Sequence, residues 1–364
     1  MVSSDIALRP ALPKTYITPV VSKQDMKPFT RRLIFPALTA LVIVVLFISP
    51  TYLLATAAFS SPSSAVSSPD KSSSSYIYVA NNAENSIAVV SGSTNKIITT
   101  VAVGSGPWPV TYAPNNKEIY VGNGGTDTVS AINTKTNKVV ATITVGDDPR
   151  GAVYDPANQE VYIACQSSNA VYAIATKNNS VVATISISDS VPQGVTYASS
   201  NKEVYVADFG TDSVSAISSS TNKVVATISV GSIPIGIAYN ADNKEVYVAN
   251  YDSDSASAID TSTNKVVATI STGSGPWGVG YDAANKQIFV TNDGSQSVTV
   301  INTKNKVVTT IAVNSEPVSA AYDSANKEMY VSNLNSNTVS VINSKDKVVT
   351  TIDGFAGPLG AAAT

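Results

Sequence analysis

The chain has 364 residues and a formal net charge of −3, and 43% of its residues are hydrophobic while only 13% are charged, so a large core is available. Histidine is absent, which removes the commonest general base, transition-metal ligand and haem ligand. The one cysteine, Cys165, has no partner in the chain for a disulfide, and we expect it to be a small buried hydrophobic residue in a strand.

The first two segments predict a membrane anchor. Residues 1–32 form a basic leader with six basic and two acidic side chains, followed at 33–59 by an uncharged, apolar run of 27 residues. About 20 apolar residues suffice to cross a bilayer as a helix. Because Arg31 and Arg32 directly precede the run, we predict a cytoplasmic leader and a single-pass signal anchor in the cell membrane, with the rest extracellular. A competing interpretation is a cleaved signal peptide, since residues 55–57 form an A-x-A site.

The next segment, residues 60–75, is rich in serine and proline and poor in apolar residues. Such a composition does not fold by itself, so we predict a flexible stalk, a site for O-glycosylation or a plain linker. Further along the chain, Asn178 begins the one N-glycosylation sequon. It falls in a predicted turn, where a glycan has room to attach.

From residue 76 onwards one stretch recurs, seen clearly as NKEVYVAN at 243–250. Its central aromatic residue recurs every 41 to 43 residues, at Tyr78, Tyr120, Tyr162, Tyr205, Tyr247, Phe289 and Tyr330. A constant period near forty residues with a strand-like centre predicts a repeat architecture.

The unit at residues 234–272 shows the plan of one repeat. We predict four short strands, at 234–239, 245–250, 255–259 and 266–270. Asn-Lys pairs at 243–244 and 264–265 are expected to form turns, because asparagine tolerates the left-handed conformation. The second strand is apolar on both faces, as expected for sheets that stack on their neighbours. Four short strands in about forty residues is one blade of a β-propeller.

The number of units predicts a closed ring. Six complete units start at Pro107, Pro149, Pro192, Pro234, Pro276 and Pro317. Three strands precede the first unit and one follows the last, so together they supply a seventh blade. We therefore predict that residues 76–364 form an all-β, seven-bladed propeller with 3+1 strand closure, which removes exposed sheet edges. These residues carry 16 basic and 23 acidic side chains, and an acidic body of this kind argues against nucleic acid as a partner.

Positions that vary between the repeats are the candidates for binding. The residue after the opening proline varies, and reads Trp108, Arg150, Gln193, Ile235, Trp277, Val318 and Leu359. In a propeller these residues ring one mouth of the central channel. We predict a binding site formed by Trp108, Arg150, Gln193 and Trp277, in which the indoles stack on a sugar ring and the polar groups bind its hydroxyls. The competing interpretation is that the two tryptophans plug the ring or pack beneath the loops.

Acidic side chains in the loops before these prolines are weak candidates for a calcium site. They are Asp147, Asp148, Asp189 and Glu316, and oxygen ligands from several loops suit this cation. Solvated loop charges are the better interpretation, so we predict no metal and no cofactor. A different role is expected for Asp155, Asp282 and Asp323, which each follow a strand tyrosine and should cap a turn.

The repeated Tyr-Val-Ala-Asn and Tyr-Val-Ser-Asn cores, the Asn-Lys-Val-Val-Ala-Thr-Ile strands and the Pro-x-Gly-Val strand starts resemble the YVTN β-propeller repeat family. The copy nearest to the family name is FVTN at 289–292, and the resemblance covers residues 76–364. Such repeats occur in archaeal surface-layer and cell-surface proteins, so the resemblance implies an envelope protein. Distant seven-bladed relatives include haem-d1 domains, whose axial histidines this chain lacks.

The sequence contains no nucleophile elbow, phosphate-binding loop or metal motif, so no catalytic residue is predicted. We predict a non-enzymatic cell-surface scaffold for adhesion or for contacts with envelope proteins and glycans. The alternative is a metal-dependent, lactonase-like hydrolase at the channel mouth, which requires carboxylates along the channel. A third class, a binder of soluble ligands, would show quenching of Trp108 and Trp277 fluorescence on titration.

Overall fold

The computed structural model describes residues 75–364, which contain 28 β-strands and two short 3-10 helices. The leader, the apolar run and all but the last residue of the Ser/Pro-rich segment lie outside the described residues. Across 75–364, no helix is both long enough and apolar enough to span a bilayer. The strands form seven four-stranded antiparallel sheets, the blades of a β-propeller.

Each blade takes four strands in sequence order, except the first, which borrows one from the C-terminus. The strands are, for blade 1, β1 (Tyr76–Asn81), β2 (Ser86–Ser91), β3 (Lys96–Ala102) and β28 (Pro358–Ala363); for blade 2, β4 (Pro107–Ala113), β5 (Glu118–Asn123), β6 (Thr128–Asn133) and β7 (Lys138–Thr144); for blade 3, β8 (Pro149–Asp155), β9 (Glu160–Cys165), β10 (Ala170–Ala175) and β11 (Ser180–Ser186); and for blade 4, β12 (Pro192–Ala198), β13 (Glu203–Asp208), β14 (Ser213–Ser218) and β15 (Lys223–Ser229).

The remaining three blades repeat the same plan, with innermost strands that start at a proline. They are blade 5, with β16 (Pro234–Asn240), β17 (Glu245–Asn250), β18 (Ser255–Asp260) and β19 (Lys265–Ser271); blade 6, with β20 (Pro276–Asp282), β21 (Gln287–Asn292), β22 (Ser297–Ile301) and β23 (Val307–Ala312); and blade 7, with β24 (Pro317–Asp323), β25 (Glu328–Asn333), β26 (Thr338–Asn343) and β27 (Lys347–Ile352). The 3-10 helices lie at Asn82–Glu84 and Tyr251–Ser253.

The core lies between the blades. In β17, Val246, Tyr247, Val248 and Ala249 are all fully buried, so both faces of the strand are covered, as the sequence predicts. Val246 and Val248 pack with strands of blade 4, in one of seven apolar clusters among the described residues. Full burial of such a side chain contributes roughly 1.5–3 kcal/mol.

The fourth strand of each blade forms the outer edge and is the least buried. Val139 and Val140 of β7 are 37% and 52% exposed. The register with β6 shifts between Ala131 and Ile132, which leaves Val140 as an extra, bulged residue. A bulge on an edge strand twists it away from pairing with another chain.

The closure of the ring is confirmed. Strand β28 pairs antiparallel with β1, with Tyr78 opposite Ala362, and the sheet order of blade 1 is β28-β1-β2-β3. The last residue, Thr364, donates its N–H to the carbonyl of Tyr76 at 3.0 Å. Both ends of the propeller therefore meet in one sheet.

The recurrent tyrosine joins each blade to the next. In β17 the Tyr247 hydroxyl donates to Asn305 Oδ1 of blade 6 at 2.5 Å, and Asn305 donates to Glu245 Oε2 at 2.9 Å. Equivalent Tyr–Asn bonds cross five more blade junctions, from Tyr78, Tyr120, Tyr162, Tyr205 and Tyr330. At the seventh, Phe289 has no hydroxyl to offer. We call this arrangement the tyrosine latch.

One detail of the turns differs from the sequence prediction. In the pair at 243–244 the left-handed residue is Lys244, with φ of 58°, and not Asn243. The Asn243 amide instead donates to Glu245 and to the Tyr247 hydroxyl, at 2.9 and 2.8 Å. The asparagine is therefore fixed by the latch, and its neighbour takes the strained conformation. In the second turn Asn264 is left-handed, as predicted.

Two further sequence predictions are confirmed. Cys165 is fully buried, and burial raises the pKa of its thiol to about 12. The carboxylates of Asp155, Asp282 and Asp323 each accept an N–H two residues further on, at 2.7 to 2.9 Å. These buried aspartates are turn caps.

The first strands line a narrow channel because glycine lets them approach each other. A Cβ on Gly236 would lie 2.2 Å from the carbonyl oxygen of Trp277 in the next blade, and one on Gly360 would lie equally close to that of Trp108. At these two positions a side chain would force the neighbouring strand to shift. This contact explains the Pro-x-Gly pattern at the start of most blades.

The connecting loops divide the disc into two faces. Loops that join second to third strands lie beside the loops that precede each first strand, as shown by the bond from Gly124 N–H to the Gly106 carbonyl, 2.9 Å. We call their side the mouth face. Turns between first and second strands and between third and fourth strands lie on the opposite side, which we call the lysine face.

Candidate binding site at the channel mouth

Six of the seven residues that follow the opening prolines line the cavity at the channel mouth: Trp108, Arg150, Gln193, Ile235, Trp277 and Val318. The seventh, Leu359, is buried. The backbone reaches this position through a left-handed residue before each proline, with φ between 50° and 65° among the described residues: Gly106, Asp148, Val191, Ile233, Gly275, Glu316 and Gly357. This turn aims the start of each first strand into the ring. Three of the seven are glycines, which adopt the conformation without cost.

The two tryptophans meet across the mouth. Trp108 of blade 2 and Trp277 of blade 6 stack with ring centroids 6.3 Å apart and an interplanar angle of 18°. Below them lie the buried side chains of Val318 and Leu359. Both indoles are half-buried, so the pair covers part of the channel and keeps an exposed edge.

A third aromatic residue, which the sequence analysis missed, braces this pair. Tyr251 packs edge-on against Trp277, with ring centroids 5.5 Å apart and planes at 89°. Burial and the nearby Asp293 carboxylate both raise the pKa of Tyr251. A signal existed, because Tyr251 occupies a position after the second strand that also varies between repeats.

The predicted Arg150 lies on the other side of the pair. Its guanidinium carbon is 4.3 Å from the centre of the Trp108 ring, a cation–π contact. Two nitrogens of the guanidinium contact the carboxylate of Asp148, at 2.8 and 3.0 Å. The arginine is thus held between a carboxylate and an indole, and its position is fixed.

Gln193 completes the predicted set but stands apart from the aromatic cluster. It is half-buried beside the cavity, and within residues 75–364 its side chain forms no hydrogen bond. Ile235 follows it around the ring and is buried. The mouth therefore has an aromatic side formed by blades 2 and 6 and an amide-bearing side formed by blade 4.

Beneath the mouth the channel holds a cavity of about 190 Å³. Its wall consists of small and aliphatic residues of the first strands, among them Val110, Ala152, Gly194, Ile237 and Val279. Such a wall offers shape and apolar contact, and the polar groups lie at the rim.

The four acidic candidates lie on the mouth face but are not brought together. Asp148 is paired with Arg150, while Asp147 and Asp189 are exposed. Among residues 75–364, no three of the side chains His, Cys, Asp and Glu are grouped as a metal site. The Asn178 sequon lies at an exposed turn on the lysine face, and its glycosylation stays a prediction.

The closed ring of seven four-stranded antiparallel blades defines the class of this protein as a seven-bladed β-propeller. The YNCE-like beta-propeller family matches residues 34–244 and 141–327, and the chain belongs to this family. No curated protein matches the sequence.

Solved structures share the fold at low sequence identity. A functionally unknown protein from Desulfotomaculum acetoxidans has a TM-score of 0.70 and 16% identity over 79% of this chain and 98% of its own. Hydrazine synthase from Kuenenia stuttgartiensis has a TM-score of 0.67 and 22% identity, covering 74% and 92%. Virginiamycin B lyase from Staphylococcus aureus has a TM-score of 0.62 and 15% identity, covering 71% and 88%. These likenesses show the fold alone.

Proposed function

We propose that this protein is a non-enzymatic, cell-surface propeller that is anchored in the membrane by residues 33–59 and binds envelope or neighbouring-cell components at its channel mouth. The partner is a surface protein or a glycan. The resemblance of the repeats to YVTN proteins of the archaeal cell surface supports the location, and the uncharged run with its preceding arginines supports the anchor.

The observation that carries the binding role is the braced tryptophan pair. Trp108 and Trp277 are stacked at 6.3 Å, and Tyr251 and Arg150 hold them from either side. Aromatic surfaces that are already ordered lose little conformational freedom on binding, so they suit contact with sugar rings or with side chains of a partner. Packing below the pair serves the fold, while the exposed indole edges are available to a ligand.

The test is photo-cross-linking on intact cells. A photoreactive residue placed at Asp252, in the loop beside Tyr251, should capture a partner. The matched control places the same residue at Val267, which is 52% exposed on the outer edge, and should capture nothing. Replacing the tryptophans by residues found at the same position in other blades, Trp108→Gln and Trp277→Val, should abolish the capture.

Equal capture at the mouth and at the edge would contradict a site at the mouth. A partner that is retained by the double variant would contradict the role of the indoles. Mass spectrometry of the captured species identifies the partner. If the propeller binds the partner through a sugar, enzymatic deglycosylation should release the partner from the cross-linked product.

A further inference from the structure

The charges of the propeller are sorted between its two faces. All fifteen lysines of residues 75–364 lie on the lysine face and all are exposed: Lys96, Lys117, Lys135, Lys138, Lys177, Lys202, Lys223, Lys244, Lys265, Lys286, Lys304, Lys306, Lys327, Lys345 and Lys347. Five of them recur at one turn position, just before the second strand, and five more open the fourth strand. These ten lysines form two concentric rings, and the other five lie in the turns between third and fourth strands.

Carboxylates on the same face are mostly engaged inside the fold. The glutamates of the tyrosine latch, such as Glu245, are half-buried and bonded to tyrosine and asparagine. Three aspartates are buried turn caps, as described above. Among the described lysines, Lys286 alone forms an ion pair, with Asp242 at 2.7 Å. The charge that this face shows to solvent is therefore positive.

The mouth face has the opposite charge. Eleven carboxylates that are not buried stand at its loops, against the single cation Arg150: Glu84, Asp127, Asp147, Asp148, Asp189, Asp212, Asp252, Asp254, Asp293, Glu316 and Asp353. An anionic surface attracts one side of such a disc and repels the other.

The chain enters the propeller on the lysine face. Strand β1 begins there with Tyr76, and β28 ends beside it. Only 16 residues separate Tyr76 from the end of the apolar run at residue 59. A stalk of this length, as the sequence predicts it, would span roughly 22 Å on average, so the anchor of the proposed function would keep the propeller close to the bilayer.

We propose that the lysine face docks on the anionic headgroups of the lipid bilayer in which the chain is anchored, which turns the channel mouth away from the membrane. The inference rests on the anchor of the proposed function. Two coplanar rings of like charges fit a flat, laterally mobile anionic surface, whereas a folded partner would meet only one sector of them. Exposed charges act only over about 8 Å at physiological salt, and the short tether supplies the required proximity.

The test uses the full chain in nanodiscs of phosphatidylcholine, with or without about 30% phosphatidylglycerol as the anionic lipid. Amine-reactive labelling followed by mass spectrometry reports the exposure of each lysine. We expect labelling of the lysine face to fall several-fold in the anionic nanodiscs and to recover in about 0.5 M salt, where screening is nearly complete. Quenching of Trp108 and Trp277 by acrylamide should be equal in both.

Two variants make the test specific. One variant replaces by glutamine the five lysines that lie just before the second strands (Lys117, Lys202, Lys244, Lys286 and Lys327). Glutamine is chosen because blade 3 carries Gln159 at this turn position, with a left-handed φ of 61° like that of the lysines. This variant should lose the lipid-dependent protection of the other ten lysines. The matched control neutralises five mouth-face carboxylates (Glu84→Gln, Asp189→Asn, Asp212→Asn, Asp252→Asn and Asp353→Asn) and should keep that protection.

The outcomes separate this inference from the anchor. Equal labelling in both nanodiscs, or protection of the tryptophans in place of the lysines, overturns the docking while the anchor stands. If the chain leaves the nanodiscs at high salt, the anchor is wrong. In that case, salt-sensitive binding of the chain to anionic but not to neutral vesicles still supports docking of the lysine face. If the chain binds neither kind of vesicle, docking is overturned. Protection by soluble polyphosphate without any effect of lipid assigns the face to a polyanion and overturns the proposal.

Discussion

Replacing Asp208 by asparagine should stabilise the propeller at neutral pH. Asp208 ends the second strand of blade 4 and is only 1% exposed. Its Oδ2 accepts a bond from Ser215 at 2.6 Å, and Oδ1 has no hydrogen-bond partner among residues 75–364. Five other blades end this strand with asparagine, and in blade 5 the Asn250 amide donates to Ser255 and Ser257 at 3.2 and 3.0 Å. An asparagine introduced into blade 4 would find equivalent hydroxyl partners in Ser213 and Ser215.

The size and sign of the effect follow from the pKa of the carboxyl. Burial raises the pKa of Asp208 from 3.8 to about 6, and the bond from Ser215 opposes the rise. Between these two pH values the folded chain binds more protons than the unfolded chain, so stability falls as the pH rises. A rise of this size corresponds to about 3 kcal/mol in the free energy of unfolding. The wild type loses this stability between about pH 4 and pH 7, and the variant retains it.

The assay is urea unfolding of the wild type and of Asp208→Asn from pH 4 to pH 8. The stability advantage of the variant should grow by about 3 kcal/mol between pH 4 and pH 8, because all other titrating groups are common to both proteins. The reverse change, Asn250→Asp, should introduce a similar pH-dependent loss in blade 5. A difference that does not change with pH would show that burial does not raise the pKa of the Asp208 carboxyl.

Three further predictions concern the ring. Deletion of residues 358–364 removes β28, so the melting temperature should fall sharply; unchanged melting would show that the ring is not closed by this strand. Tyr247→Phe breaks one tyrosine latch and should cost roughly 1–3 kcal/mol in urea unfolding. Adding Glu245→Gln should recover part of this loss, because blade 6 combines Phe289 with Gln287, and no recovery would contradict the latch. Ile233→Gly relieves a β-branched residue at φ of 56° and should stabilise by about 1 kcal/mol; destabilisation would show that its side chain matters more than the strain.

The fold could be predicted because the sequence repeats its local signals seven times. Any single Tyr-Val-Ala-Asn strand is ambiguous, but seven copies in one register fix the blade number, and the unmatched strands at the two ends fix the closure. Misassignment of the left-handed residue at 243–244 has a local cause. Propensity alone favours asparagine there, and the sequence does not reveal that the Asn243 amide is required by Tyr247.

The geometry of the candidate site was harder to predict because it depends on contacts between blades distant in sequence. The varying position identified Trp108, Arg150, Gln193 and Trp277 as mouth residues. The stacking of two indoles 169 positions apart, the brace by Tyr251 and the pairing of Arg150 with Asp148 all require the closed ring. Sorting of lysines and carboxylates between the faces was visible only once each turn had been assigned to a face.

Display of the propeller outside the cell can be tested by labelling intact cells with a membrane-impermeant amine reagent in about 0.5 M salt, where charge contacts between the lysine face and the bilayer are screened. All fifteen propeller lysines are exposed, whereas Lys14, Lys23 and Lys27 lie in the leader before the apolar run. We expect labelled propeller lysines on intact cells, with the leader lysines labelled only after lysis. Labelled leader lysines with an unlabelled propeller, or no labelling until lysis, would contradict it.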